Sequence, residues 1–383
     1  MPWKETCVMD QKIHMISNWL SGNYTITELS SIHSVSRKTL YKWIERYKKD
    51  CENGLKEVSS RPLSCSRATP SNIISDILIL KNRHPTWGAR KLLGWLKIHQ
   101  SDKRWPVSST THEILKRHGL VHKRRKRHHT PPYTQPFLKV TQPNEVWCAD
   151  YKGQFRLGCG SLCYPFTLTD SYSRYILGCW GLEHPAYEPT RYYFERAFRE
   201  YGLPNAIRTD NGAPFASVGI GGLSKLSVWF IKLGIVPERI EKGHPEQNGR
   251  HERMHRTLKA EATKPPQYNM RGQQRIFNRF QYDFDNERPH QALGQKTPAT
   301  VYRVSDREYP KRLPAIEYPD FYKVRHIHNG GSLKWKNKEI YLSSALAGEY
   351  IGLTEIDNGI WNIYFSFYPV CILDERTLTI RNL

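Results

Sequence analysis

Two aspartates stand where short apolar stretches stop. Asp150 follows Val146-Trp147-Cys148-Ala149, and Asp210 follows Ala206-Ile207-Arg208-Thr209 and precedes Asn211-Gly212. If these stretches are neighbouring strands, their ends bring two carboxylates together with no cation beside them. Like charges at that range do not ionise together cheaply, and a bound Mg²⁺ or Mn²⁺ resolves the conflict. Two such ions about 4 Å apart activate an attacking oxygen and stabilise a leaving one in phosphoryl transfer. Each position also has a plainer reading: Asp-Asn-Gly is a strong turn signal, and Asp150 alone is an ordinary strand-end residue. Asp170, in TLTDSYSRY, is a third candidate that reads equally well as a turn between hairpin strands.

A further carboxylate is offered by GHPEQNGRHERMHRTLK, residues 243–259. Glu246 and Glu252 lie about 120° apart if both are helical, so they cannot share a role. Glu246 follows Pro245 and precedes Asn248-Gly249, a loop or first helical turn where a carboxylate suits the helix dipole. Glu252 falls inside the helix, with His255 adjacent and Arg256 at i+4 and Lys259 at i+7 on its face. One carboxylate flanked by cations facing the same way suits a metal site beside a phosphate backbone. An i,i+4 Glu–Arg surface pair is the bland alternative.

The elements that must position these residues follow from the patterning of the 383-residue chain. Residues 143–304 hold strand-like stretches (NEVWCADYKGQF, YPFTLTDSYSRYILGCWG, NAIRTDNG) separated by helical ones (PTRYYFERAFREYG, LSKLSVWFIKLG, residues 248–263, and QQRIFNRFQYDFDNERPHQAL). That order predicts an α/β layered domain. Upstream, residues 1–60 predict helices: Met9, Ile13, Ile16 and Leu20 recur at helical spacing and Gly22 ends the run. A helix-turn-helix follows, with a core of Leu29, Ile32, Val35, Leu40, Trp43 and Ile44 and Ser36 as N-cap. Its second helix exposes Arg37, Lys38, Thr39, Tyr41 and Lys42, types that contact phosphates and base edges. Residues 61–72 read as a linker. Residues 73–131 form a second helix-turn-helix, capped by Ser108 or Ser109, with Ser109, Thr110, Thr111 and His112 at the exposed start of its last helix. It ends in Lys123, Arg124, Arg125, Lys126 and Arg127, a run that either tracks a phosphate backbone or is merely solvated. Residues 132–142 are a Pro-rich linker. Residues 305–383 alternate as strands with turns at Asn329–Gly330 and Asp357–Gly359, which predicts a small antiparallel barrel. There Lys334, Lys336 and Lys338 would share one face.

The bulk numbers agree with a nucleic-acid partner. There are 58 Lys+Arg against 36 Asp+Glu, a formal charge of +22, and an excess of this kind favours polyanions through counterion release. No apolar run approaches a bilayer span, which argues against a membrane. MPWKETCVMD lacks the apolar core of a signal peptide, so cytoplasmic residence is expected. The eight cysteines are scattered, and no His/Cys spacing matches a zinc finger or ribbon, so reduced thiols are expected.

WCADYKGQF, TDSYSRYILG, IRTDNGAPFAS, PEQNGRHERMHRTLK and NERPHQAL, in this order, resemble the integrase core of DDE transposases and retroviral integrases. The resemblance is greatest to bacterial insertion-sequence transposases with N-terminal helix-turn-helix units. It implies an RNase H-like core and a site of two aspartates and a glutamate holding Mg²⁺ or Mn²⁺, two ions in number. It also implies hydrolytic nicking at an element end, then attack of the freed 3′-OH on target DNA. Carried over by position, the site is Asp150, Asp210 and Glu252, with Arg256 and Lys259 on DNA. The implied partners are double-stranded DNA, in the form of terminal inverted repeats and target, and a further copy of the chain, at least a dimer, on the bacterial nucleoid. The family's usual interval matches the 35 residues between Asp210 and Glu246, whereas 41 separate Asp210 from Glu252. The surplus fits the Gly-rich SVGIGGLS, residues 217–224, because loop insertions cost little. Retroviral integrases carry an N-terminal zinc domain, whereas this chain has helix-turn-helix units in its place. A catalytically silent DNA-binding repressor or end-binding protein, and a structure-specific nuclease, are the competing functions.

Overall fold

The structure is a computed structural model that describes residues 7–57, 59, 68–121, 140–217, 219–241 and 245–382, with the backbone alone for Pro245 and Glu246. The cationic run at 123–127 and most of both expected linkers lie outside the described residues. Two compact units are present, Met1–Pro70 and Ser71–Leu383.

In the first unit, α1 (Val8–Leu20), α2 (Ile26–Ile32) and α3 (Arg37–Gly54) enclose Met15, Ile16, Leu29, Leu40, Trp43, Ile44 and Leu55. Thr25 and Glu28 form a capping box on α2, and the Thr39 amide donates to Ser36 Oγ at 3.2 Å, so Ser36 is the N-cap expected. The stripe expected on α1 is shifted. Ile13 and Leu20 are exposed and so is Ile32, while Lys12 is buried. Lys12 Nζ lies 3.8 Å from the centre of the Trp43 ring and donates to Leu55 O at 3.2 Å, so its aliphatic stem covers the core.

The second unit opens with α4 (Ser71–Arg83), α5 (Ala89–His99) and α6 (Ser108–Arg117), packed around Ile77, Leu80, Trp87, Leu92, Leu96 and Leu115. Val107, not a serine, occupies the N-cap of α6, and no side chain caps it. Ser109 and Thr110 are exposed, but Thr111 is fully buried and its hydroxyl donates back to Val107 O at 3.2 Å. Thr111 is therefore not part of the exposed start of that helix. Trp95 Nε1 donates to Glu287 Oε2 at 2.7 Å and Thr86 bonds to Glu261, which ties these helices to the domain that follows.

That domain contains β1 (Val146–Tyr151), β2 (Phe155–Arg156), β3 (Leu162–Asp170), β4 (Ile176–Leu182), α7 (Tyr187–Tyr201), β5 (Ala206–Thr209), α8 (Lys225–Lys232), β6 (Val236–Arg239), α9 (Gly249–Ala262) and α10 (Met270–Tyr282). Its sheet runs β4-β3-β1-β5-β6, antiparallel through the first three strands and parallel through the last three, with β2 on the far end of β3. Alternation along the strands sends Trp147, Ala149, Phe166 and Leu168 into a core with Phe194 and Phe198 of α7 and Trp229 and Phe230 of α8. Helices α9 and α10 cover the other face through Met254, Leu258, Phe277 and Phe280, against Cys163 and Cys179. This is the α/β layering that the sequence predicts and the integrase-like RNase H core that the resemblance implies. Beyond the expected limit at residue 304, the chain still packs on this core: Ser305 N donates to Tyr201 O at 2.9 Å, and Tyr309 joins the aromatic cluster.

The C-terminal region is all-β. Strands β7 (Lys323–His326), β10 (Tyr350–Asp357), β11 (Ile360–Phe365), β12 (Tyr368–Asp374) and β13 (Thr379–Arg381) form one antiparallel sheet in the order β13-β12-β11-β10-β7; β8 (Ser332–Trp335) and β9 (Lys338–Tyr341) form a hairpin beside it. Among the described residues no ladder closes these two sheets into a barrel. Its core includes Ile351, Leu353, Ile363 and Phe365 and is completed by Leu223, Val228 and Ile231 from around α8. Lys334, Lys336 and Lys338 do not share a face. The hairpin turns at Lys336–Asn337, both with positive φ, and Lys336 is ion-paired to Glu375. No described helix is long and apolar enough to cross a membrane, and the seven described cysteines are free.

Candidate metal centre and nucleic-acid interface

Asp150 is the penultimate residue of β1, and Asp210 follows β5 directly. The parallel register pairs Val146 with Ala206, Trp147 with Ile207 and Cys148 with Arg208. Continued by two residues, it sets Asp210 beside Asp150. Arg208, two residues back on the same face, is buried and is paired with Glu238 across β5 and β6 at 2.8 Å. Helix α9 crosses this face, with Glu252 exposed in its first turn. Arg256 and Lys259 are exposed on the same flank, within roughly 40° of Glu252. Glu252 and Arg256 form no ion pair among the described residues.

The electrostatics follow from that placement. Asp150 is pushed up to about 7 by burial first, then by the charge of Asp210 and, further down, that of Glu252. The Tyr151 amide and Lys152 pull it partly back. Asp210 is also raised, by burial, against a hydrogen bond from Gly212 N to its Oδ1 at 3.1 Å. Asp150 is thus near enough to Asp210 and Glu252 for their charges to oppose its ionisation, and a divalent cation relieves that opposition.

Asp170 has a different task. It is buried, and it accepts from Asn144 N at 2.8 Å, Ser173 N at 2.7 Å and Ser173 Oγ at 2.6 Å. In the register it pairs with Trp147, three residues and about 10 Å along β1 from Asp150. It closes the β3–β4 turn, the second of its two sequence readings.

Sequence reasoning missed the layer beneath Asp150. His251 and His255, one turn apart on α9, are buried against Thr167 and Thr169 of β3. The Thr167 hydroxyl donates to Asp150 O at 3.1 Å, so its lone pairs accept from His251 Nε2 at 2.8 Å and His255 Nε2 at 2.6 Å. His251 Nδ1 then accepts from the Thr169 hydroxyl at 2.8 Å, and His255 Nδ1 faces Asp150 Oδ2 at 3.5 Å. Burial holds His251 down to about 3 and His255 down to about 2, so both are neutral. Asp150, His251 and His255 bring donor atoms within 4.8 Å of one another, which makes them a second possible ligand group. Both ring nitrogens of His251 are already engaged by threonine hydroxyls, however, so that group would lose buried hydrogen bonds on taking a metal. The carboxylates accept from the Tyr151 and Gly212 amides but keep further lone pairs, and their oxygen donors suit Mg²⁺ or Mn²⁺. An i,i+4 His pair and a Thr-x-Thr strand are visible in the sequence, but nothing there says that they meet.

The DNA-reading candidates divide in the same way. Arg37, Lys38, Tyr41 and Lys42 are exposed on α3, and Thr39 is half-buried with its hydroxyl 2.9 Å from Ser36 Oγ.

Comparison with known proteins bears on this arrangement. Integrase core domain families match residues 140–245 and 233–298, and a helix-turn-helix domain family matches residues 11–62. The transposase for transposon Tn552 of Staphylococcus aureus is 22% identical over 388 residues, covering 89% of this chain and 77% of that protein. The insertion element IS407 uncharacterized 31.7 kDa protein of Burkholderia multivorans is 25% identical over 221 residues, covering 55% of this chain and 75% of that one. Among solved structures, the HTLV-2 integrase catalytic core domain in complex with magnesium is similar at 17% identity and a TM-score of 0.33, covering 42% of this chain and 97% of that one. A chain of the simian T-cell lymphotropic virus intasome is similar at 14% identity and a TM-score of 0.38, covering 80% and 99%. The chain thus carries an integrase core domain over residues 140–298 and an N-terminal helix-turn-helix domain over residues 11–62, and is similar to insertion-sequence and transposon proteins.

Proposed function

We propose that this protein binds the ends of a mobile element and catalyses metal-dependent nicking at the 3′ end, followed by strand transfer into target DNA. The observation that carries the reading is Asp150, raised to about 7 by burial first and then by the charge of Asp210, with a smaller push from that of Glu252. These three residues would hold two divalent ions, which when bound activate the attacking oxygen and neutralise the leaving one. In the first step water attacks a phosphorus and its bond to the 3′ oxygen breaks, leaving a 3′-OH and a 5′-phosphate. In the second, that 3′-OH attacks a target phosphodiester and one P–O bond replaces another. Arg256 and Lys259, on the flank of α9 shared with Glu252, hold the strand being cut. The helix-turn-helix units supply end recognition, α3 through Arg37, Lys38, Thr39, Tyr41 and Lys42 and α6 through Ser109 and Thr110. Joining two ends in one assembly requires at least two copies of the chain.

The test uses purified full-length protein, DNA carrying the element's terminal repeats, and Mg²⁺ or Mn²⁺. Wild type is expected to nick and join strands. Glu252→Gln is expected to lower both by more than about 100-fold, beyond the usual cost of disturbing a ligand's supporting partner, while DNA binding is retained. Full activity of Glu252→Gln would remove it from the site. Tight DNA binding without metal-stimulated chemistry in the wild type would return the silent end-binding alternative.

A further inference from the structure

Helix α9 has a second cationic flank. Arg250 and Arg253 point roughly 100° to 160° away from Glu252, into a cavity of about 440 Å³ that the carboxylates do not line. Lys91 of α5, Arg174 of the β3–β4 turn, Arg288 and His290 complete its polar wall. Its one acid, Asp170, has both oxygens taken by Asn144 and Ser173. Among the described residues Arg174, Arg250 and Arg253 form no ion pair; Arg174 and Arg250 instead donate to Ser171 O. Arg174 is held down to about 10, by burial first and then by the charge of Arg250, with a smaller push from Arg253. His290 Nε2 is buried and has no hydrogen-bond partner among the described residues.

A concave site with clustered, unneutralised guanidinium groups costs stability unless an anion fills it. We propose that this cavity takes a backbone phosphate of DNA, at a site separate from the scissile phosphate, so that α9 contacts DNA on two opposite flanks. Arginine forks suit phosphate oxygens better than ammonium groups do. The ligand class rests on the reading of the protein as a DNA transposase. The geometry alone calls for a phosphate, and free inorganic phosphate is the other source of that chemistry.

The experiment measures binding of the full-length protein to a short random-sequence duplex in EDTA, so that no chemistry intervenes, over a series of NaCl concentrations. Arg250 and Arg253 are exposed, so Arg250→Ala/Arg253→Ala is expected to fold, and an unchanged melting curve checks this. A variant of equal charge loss, Arg271→Ala/Arg275→Ala on the exposed side of α10, is the control. Relative to that control, the pocket variant is expected to bind about tenfold more weakly, with a slope of log K against log salt reduced by about one, the value for one phosphate contact. Lysine at both positions should restore the slope more fully than the affinity. Indistinguishable slopes for pocket and control variants would overturn the proposal. So would competition by inorganic phosphate, at matched ionic strength, that is lost in the pocket variant while its duplex slope stays that of the control. A wild type that binds no duplex would overturn the transposase reading itself, and the two failures are thereby told apart.

Discussion

At the scale of single residues, Asp150 sets stability against function. Its folded pKa of about 7 lies above its ordinary 3.8, so the folded chain holds that proton more tightly than the unfolded one. The associated stability is complete below about 3.8 and is lost as pH rises through about 7. Asp150→Asn should therefore melt higher than wild type in EDTA at pH 8, by on the order of a few kcal/mol at most, and show little advantage near pH 4. Thermal melts at both pH values decide this; an equal gain at both would mean that burial of charge is not the cause. Metal and proton compete for the same oxygens, so Mn²⁺ affinity should rise as pH passes 7. Glu246→Gln should be mild where Glu252→Gln is null, with nicking rates as the readout.

At the scale of elements, the seam between α9 and β3 depends on one hydroxyl. Thr167 serves Asp150 O, His251 and His255, whereas Thr169 serves His251 alone. Thr167→Val should cost about 2–4 kcal/mol and Thr169→Val about 1 kcal/mol; chemical denaturation giving the reverse order would discard the proton assignment. Legibility in the sequence followed burial. Strands β1 and β5 could be read as strands leading to an aspartate because both their faces are covered, so Val146–Ala149 is an unbroken apolar run and β5 is interrupted only by Arg208, which Glu238 pairs, and Thr209. Strand β6 was not legible: it is a four-residue edge strand with Pro237 inside it and no buried residue. The stripe on α1 was misread because Lys12 owes its burial to Trp43 and Leu55, far along the chain. Both Asp150 and Asp210 were legible as a pair, but the histidine layer was not, because Thr167 lies 84 residues from His251.

At the scale of the whole molecule, the two compact units each close their own core, so residues 1–70 expressed alone should fold. Circular dichroism should show a cooperative melt for that fragment; a featureless one would mean that its seven buried side chains are insufficient. The C-terminal sheet is different, since α8 supplies part of its core and Lys232 pairs with Glu349.

The Gly-rich stretch between Asp210 and Glu252 belongs to that same attachment. Arg239 donates to Gly221 O at 2.6 Å and to Gly222 O at 3.2 Å, and Gly221 N donates to Asn382 Oδ1 at 3.2 Å. A Cβ on Gly222 would meet Arg239 Nη1 at 1.6 Å. The Gly-rich stretch and the C-terminal sheet are therefore coupled in this chain: a side chain at Gly222 would displace Arg239 and with it the anchor of that stretch.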